Sequence, residues 1–416
     1  AVLACLPSDQ PMGTVRRMPE EGSSGDVYRI NLMDAATPVE EGSAGDMQRV
    51  AGMTMDCVVR NYGAPLNARA IFYPVAYTFL RPLGRGRQGE VFLGLRQGAR
   101  GCVTEHAIKV YDPQIYRSPE EYWTDMGRIA SQISRLQRIQ SPHVVSRHSY
   151  EETHGIGYVQ MDAVDGMDLR LFLSWKHLKV AIRRCSAGEW SRFTQTIFRI
   201  EEGNVSLQPG VAVYILRGLL RGVERLHELS FLHSDLKPGN VMIDRLGNVK
   251  LIDFGRAVTV GEELTFLLGS PLYMAPEQHR RQIGDVRSDL YAVGMVALEM
   301  LLGRRLIGDE ATEDELLDMK MRLPETLDAM LPQHVLDNEA LVSILRRMVY
   351  PDPDGRFDSA KEAEVGEEGL SQIDKQLVQA GLDSEYARDL SEYLDKLVDS
   401  RTQRVETDPG PGPALN

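Results

Sequence analysis

Residues 231–240 read Phe-Leu-His-Ser-Asp-Leu-Lys-Pro-Gly-Asn, and residues 253–255 read Asp-Phe-Gly. A carboxylate at Asp235, an ammonium at Lys237, an amide at Asn240 and a second carboxylate at Asp253 are the side chains needed to handle a metal-bound triphosphate. Asp235 can accept the proton of an incoming hydroxyl. Asn240 and Asp253 offer hard oxygen ligands to Mg²⁺. Such chemistry also needs a phosphate cradle and a second cation elsewhere in the chain.

Upstream, Gly84-Arg85-Gly86-Arg87-Gln88-Gly89-Glu90-Val91 lies between stretches rich in β-branched and aromatic residues, which read as strands. Glycines let a backbone close over phosphates where a side chain would clash. A strand, not a helix, follows them, which argues against a dinucleotide site. Ala107-Ile108-Lys109-Val110 falls in the next strand. Lys109 there is either a strand-edge surface charge or a buried phosphate ligand. Its place one hairpin after the glycines favours the ligand. Ser118 as N-cap, Pro119 at the first helical position and Glu121 as capping-box partner start a helix. Its apolar positions Ile129, Ile133, Leu136 and Ile139 keep helical spacing up to Ser141-Pro142. Residues 157–164 read as a strand, and most of the pattern beyond 209 is helical.

Taken in order, these segments resemble the protein kinase family, over roughly residues 77–360. The resemblance implies an α+β, bilobal fold: a small antiparallel β-rich N-lobe over 77–162 and a larger, mostly helical C-lobe over 166–360. It implies ATP and Mg²⁺ as cofactors and a protein with a Ser or Thr acceptor as substrate, with autophosphorylation expected. Gly84, Gly86 and Gly89 would cover the phosphates. Val91 would lie on one face of adenine, with Ala107 beside the nucleotide. Met161 would sit at the back of the pocket, and the backbone of Asp162 and Val164 would bind the adenine edge. Asp168 would approach the ribose. Lys109 would hold phosphates, Asp235 would be the base or orienting group, and Asn240 and Asp253 would bind Mg²⁺. Lys237, two residues after Asp235, is the form seen in serine/threonine kinases, where it contacts the γ-phosphate. Residues 269–277, Gly-Ser-Pro-Leu-Tyr-Met-Ala-Pro-Glu, resemble the peptide-docking segment. Small-molecule kinases usually lack that segment, which favours a protein substrate over an acidic small ligand of the basic stretch near 176–184. Glu277 would pair with Arg356, and Asp289 would hold the backbone of the catalytic loop.

Two departures stand out. Counting back from Pro142 puts Gln132 where the family has the helix glutamate that pairs with the strand lysine. Gln132 can hydrogen-bond Lys109 but brings no charge; Asp125, two turns earlier, is a distant substitute. Ser234 stands where an Arg usually precedes the catalytic Asp, so phosphorylation of the following loop, at Thr259, Thr265 or Ser270, should matter less for switching. Gln132 is the one feature favouring the rival reading, a pseudokinase scaffold that binds partners and nucleotide without catalysis.

The chain has 416 residues, 43% of them hydrophobic and 26% charged, a composition that supports a sizeable core. Its net charge of −13 sits in the flanks: nine acids against five Arg in residues 1–60, and fourteen acids against six bases in 357–416. No nucleic-acid partner is expected on that balance. Cys5, Cys57, Cys102 and Cys185 are widely separated, so a reducing cytoplasm is expected, with neither zinc nor a disulfide framework. The longest apolar run, near 290–302, is interrupted by Glu299 and is too short for a membrane span.

Residues 1–70 read as a flexible acidic arm in which 20–26 recurs as 40–46, with Ser23, Ser24 and Ser43 as candidate phosphoacceptors. Residues 174–208 read as an insert in the larger lobe, 361–404 as a helical extension and 405–416 as a disordered tail. Tyr386, Leu390, Tyr393, Leu394 and Leu397 form an apolar stripe that would pack on its own domain or serve self-association.

Overall fold

The computed structural model describes residues 53–405 apart from 73, 202–203, 262–269, 309–310, 380–384 and 400–403. The repeat at 20–46 with its serines, Cys5, Thr265 and Gly269, and the tail beyond 405 lie outside the described residues.

The N-lobe is one antiparallel sheet ordered β1-β2-β3-β4-β6-β5. Its strands are β1 (Ala70–Ile71), β2 (Tyr77–Gly86), β3 (Gly89–Gln97), β4 (Val103–Tyr111), β5 (Arg147–Thr153) and β6 (Ile156–Asp162). Alternation along β2 and the apolar run of β4 turn Tyr77, Phe79, Ile108 and Val110 inward. There they meet helix α2 (Pro119–Leu136), which buries Tyr122, Met126, Ile129 and Ile133. α2 starts where the capping signals place it, with the Glu121 N–H donating to Ser118 Oγ at 3.3 Å. The β2–β3 hairpin needs Gly89: its φ is +140°, and a Cβ there would stand 2.0 Å from the Val110 carbonyl oxygen.

The arm is shorter than its composition suggested. Residues expected to be flexible form α1 (Met55–Ala68) and β1, which pairs Ile71 with Tyr77. Val58 and Tyr62, four apart, enter the N-lobe core with Met53 and Leu66 beside them. Gly63 and Pro65 inside α1 hid that periodicity, because both residues usually mark a helix end.

The C-lobe is built around α5 (Pro209–His227) and α6 (Val286–Leu302). α6 is buried from Ser288 to Leu301, so its apolar run belongs to the core. Among the described residues no helix is long and apolar enough to cross a membrane. A three-stranded sheet of β7 (Gly166–Asp168), β11 (Val241–Asp244) and β12 (Val249–Leu251), and a short pair of β10 (Phe231–Leu232) with β13 (Val258–Thr259), carry the loops of the cleft.

The insert folds as α3 (Trp175–Arg184), α4 (Ala187–Thr196) and the hairpin β8 (Phe198–Glu201) with β9 (Asn204–Leu207). Helix α7 of the C-terminal extension (Tyr386–Asp395) lies against it. The Tyr393 ring is 5.2 Å from Phe193 and 4.8 Å from Phe198, centroid to centroid. Leu390, Tyr393, Leu394 and Leu397 are thereby buried within their own chain, and Tyr386 lies beside Tyr214 of α5, so the stripe packs on its own domain. Beyond it the chain returns to the connection between the lobes. Arg404 pairs with Glu105 of β4, and the Val405 N–H donates to Asp165 at 2.9 Å.

His177 pins this junction. Its Nε2 lies 2.8 Å from the Phe172 carbonyl, which can only accept, so Nε2 carries the proton; Nδ1 then accepts from the Tyr393 hydroxyl at 2.6 Å. Burial pushes its pKa down to about 4. The unfolded chain therefore takes up a proton near the ordinary value while the folded chain does not. His177 contributes stability that is complete above about pH 6.5 and is lost as pH falls toward 4, up to about 3 kcal/mol. Hydrogen exchange should show protection of residues 386–397 falling between pH 7 and 5. Constant protection would contradict this.

Candidate active site

Asp289 is the anchor of the catalytic segment. From inside α6 its carboxylate accepts the N–H groups of His233 at 2.7 Å and Ser234 at 3.0 Å, and the His227 ring at 2.9 Å. Burial opposes its charge, but these donors win and hold its pKa below the usual carboxylate value. Ser234 takes φ +62°, a left-handed turn that aims Asp235 into the cleft.

Asp235 is 7% exposed and fully engaged. Lys237 Nζ donates to Oδ2 at 2.8 Å and Ser270 Oγ to Oδ1 at 3.0 Å. Asn240 Nδ2 donates to the Asp235 carbonyl at 2.7 Å. Both Asn240 donations, that one and a longer one to Oδ2, use its nitrogen, so its amide oxygen is the end that can meet a cation. Arg256 Nη1 lies 3.9 Å from Asp235 and supplies a cation near the place where Ser234 does not.

Across the cleft, Lys109 Nζ meets Asp253 Oδ1 at 2.6 Å and donates to Gln88 Oε1 at 3.2 Å. Burial alone would raise the Asp253 pKa. Lys109, with Arg147 and His233 behind it, outweighs that and keeps the carboxyl well below the usual range. The Asp253 side chain is 37% exposed, open to the cleft from which a cation would arrive. Among the described residues no three His, Cys, Asp or Glu side chains cluster as a metal cage. Two hard oxygen groups completed by phosphate and water oxygens are a set that suits Mg²⁺, and Asn240 and Asp253 fit it.

The remaining expected residues fall around the same cleft. Val91 of β3 stands opposite Lys109, and Ala107 of β4 opposite Met161 of β6. Positions Gly84 and Gly86 face open space, with nothing within 4 Å of a Cβ built on either. Asp162 and Val164 lie where β6 passes into the C-lobe, and the Asp162 carboxylate is 2.7 Å from His148. Asp168 caps the short helix Leu169–Phe172, accepting the Leu171 N–H at 2.9 Å. Residues 271–274 are held by Lys320, which the motifs do not name. Its ammonium, fully buried, donates to the carbonyls of Pro271 and Met274 at 2.5 and 2.6 Å.

Gln132 does not face Lys109. It is buried on α2, and its Nε2 donates to the Ala257 carbonyl. Arg128, one turn earlier, donates to the same carbonyl at 3.1 Å and to that of Gly255 at 3.4 Å. Asp125 serves Arg128 and Tyr116 and does not replace the missing glutamate. So α2 reaches the cleft with donors, and Lys109 draws its carboxylate from Asp253. Gln132→Glu would set a carboxylate against the Ala257 carbonyl. It should lower stability by about 1–3 kcal/mol, read as a shift in the urea midpoint; an unmoved midpoint would contradict the placement.

A family model described as protein kinase domain matches residues 77–364. The chain belongs to this family. Among curated relatives, this protein kinase domain is similar to serine/threonine-protein kinase PrkC of Bacillus subtilis, 27% identical over 70% of the chain and 39% of the relative. It is also similar to serine/threonine-protein kinase Pkn1 of Myxococcus xanthus, at 26% over 68% of the chain and 36% of the relative. Ribosomal protein S6 kinase 2 alpha of Xenopus laevis is 28% identical over 69% of the chain and 34% of its own length. The chain thus spans well under half the length of these relatives. Arg128, Arg147, Arg256 and Lys320 are residues around the site that the motifs did not name.

Proposed function

We propose that this chain transfers the γ-phosphoryl group of ATP, with Mg²⁺, to Ser or Thr hydroxyls of protein substrates, and to its own. The Lys109–Asp253 pair at 2.6 Å, facing the Asp235–Lys237–Ser270 network across one cleft, carries this reading. The names of the serine/threonine kinases to which the chain is similar support it. Mg²⁺, held by Asn240 and Asp253, would neutralise phosphate charge. Lys109 would hold phosphate oxygens, giving up part of its bond to Asp253. Asp235 would orient the acceptor hydroxyl and take its proton, and Lys237 would steady the γ-phosphate and that oxygen. Catalysis would then rest on positioning and charge. A reducing cytoplasm suits the scattered cysteines. A pseudokinase scaffold has no observation in its favour, because Gln132 serves Ala257 and Lys109 has a carboxylate partner.

The test is phosphoamino-acid analysis after incubating the full chain with Mg²⁺, radiolabelled ATP and casein. Phosphoserine and phosphothreonine are expected. Label on tyrosine alone, or released only as inorganic phosphate, would contradict the proposal.

A further inference from the structure

Among the described residues two arginines, Arg147 and Arg356, are buried, and they are treated very differently. Arg356 is 2% exposed and fully served: Glu277 accepts from both ends of its guanidinium, and the carbonyls of Tyr350, Arg287 and Pro351 take the rest. Arg147 is 4% exposed, and its Nε and Nη1 have no hydrogen-bond partner. Burying a cation without acceptors is costly, and a Met or Leu at the start of β5 would fill the space without that cost.

Besides the buried Tyr111 nearby, two groups of one turn offset the cost. The Arg147 guanidinium lies 3.7 Å from the centre of the Phe254 ring, and its Nη2 is 3.9 Å from Asp253 Oδ1. Phe254 is itself 1% exposed. The turn gains from being held, since Asp253 sits at φ +51°, in the left-handed region that non-glycine residues enter uncommonly. Lys109 also meets the Asp253 carboxylate and the His233 ring stands edge-on to Phe254, whereas Arg128 and Gln132 of α2 grip only the carbonyls of Gly255 and Ala257. Neither touches the Asp253 carboxylate or the Phe254 ring.

We propose that Arg147 is a positioning residue of the cleft. From β5 it keeps Phe254 packed inward and the Asp253 carboxylate facing Lys109 and the phosphate side. When Lys109 turns to a phosphate, Arg147 is the cation that stays on Asp253. The inference rests on the proposed nucleotide and Mg²⁺ site.

Its test is titration of the full chain with methylanthraniloyl-ADP, with and without Mg²⁺, in Arg147→Met and Arg147→Lys, beside thermal unfolding. Arg147→Met should leave metal-free binding within about twofold of wild type and weaken the Mg²⁺-dependent tightening about tenfold, the scale of a desolvated cation over an aromatic face. Arg147→Lys should keep most of the tightening. Wild-type metal dependence in Arg147→Met would show that Arg147 only fills space. A loss in Arg147→Lys equal to that in Arg147→Met, in a folded protein, would also overturn the proposal. If Arg147→Met does not fold, Phe254→Leu takes its place: it removes the stacking face and should show the same selective loss, and full retention would count against the proposal. Failure of the wild type itself to bind nucleotide more tightly with Mg²⁺ would instead defeat the functional reading.

Discussion

Asp235→Asn is expected to slow phosphoryl transfer roughly a hundred- to ten-thousandfold, the usual range for loss of a positioned base, with nucleotide affinity little changed. Asparagine keeps the shape of Asp235 but not its acceptors. In the wild type, Oδ1 takes the Ser270 hydroxyl and Oδ2 takes the Lys237 ammonium. An amide can accept on one side only, so its NH₂ must face either Lys237, which cannot accept, or Ser270, which can rotate. The Asn240 bond to the Asp235 main-chain carbonyl survives the change. The Asn240 amide oxygen should therefore stay aimed as before, which is why binding should persist while transfer falls. Initial rates of label transfer, beside a nucleotide titration, separate the two. Transfer within a few-fold of wild type would exclude Asp235 from the reaction.

Arg356→Ala should destabilise the C-lobe by about 3–5 kcal/mol, the cost of leaving a buried charge without its partner. Glu277 is 5% exposed and would keep only the Ser288 hydroxyl, at 2.7 Å. Three carbonyls would lose their donor as well. Because Glu277 closes the segment that Lys320 holds from the other side, the loss should spread to residues 270–277. Adding Glu277→Gln should recover part of the deficit by removing the stranded charge. Urea unfolding of the single and double variants measures both effects. A shift below about 1 kcal/mol in the single variant would be the mark of an exposed pair instead.

How much of this was legible beforehand depended on distance along the chain. Asp235, Lys237 and Asn240 lie within six residues, and the chemistry of their side chains shows through their spacing. Ser118, Pro119 and Glu121 announce α2 because caps act locally. Counting from Pro142 puts Gln132 on the helix but does not say which carbonyl waits opposite, and Ala257 is 125 residues away. Tyr393 and His177 are 216 residues apart, so the docking of α7 on the insert left no local trace beyond an apolar stripe. α1 was lost for the opposite reason: the Gly- and acid-rich repeat before it coloured the whole N-terminal segment, while Val58 and Tyr62 were waiting for a sheet face formed by later residues.

Incorporation of radiolabelled γ-phosphate by the full chain in Mg²⁺, wild type beside Asp253→Ala, tests the cleft most directly. Among the described residues Asp253 is the carboxylate that meets Lys109, and it is partly open to solvent. The wild type should incorporate label into Ser and Thr, and Asp253→Ala should fall to background while remaining folded. Equal incorporation by both proteins, or none by either, would contradict the account.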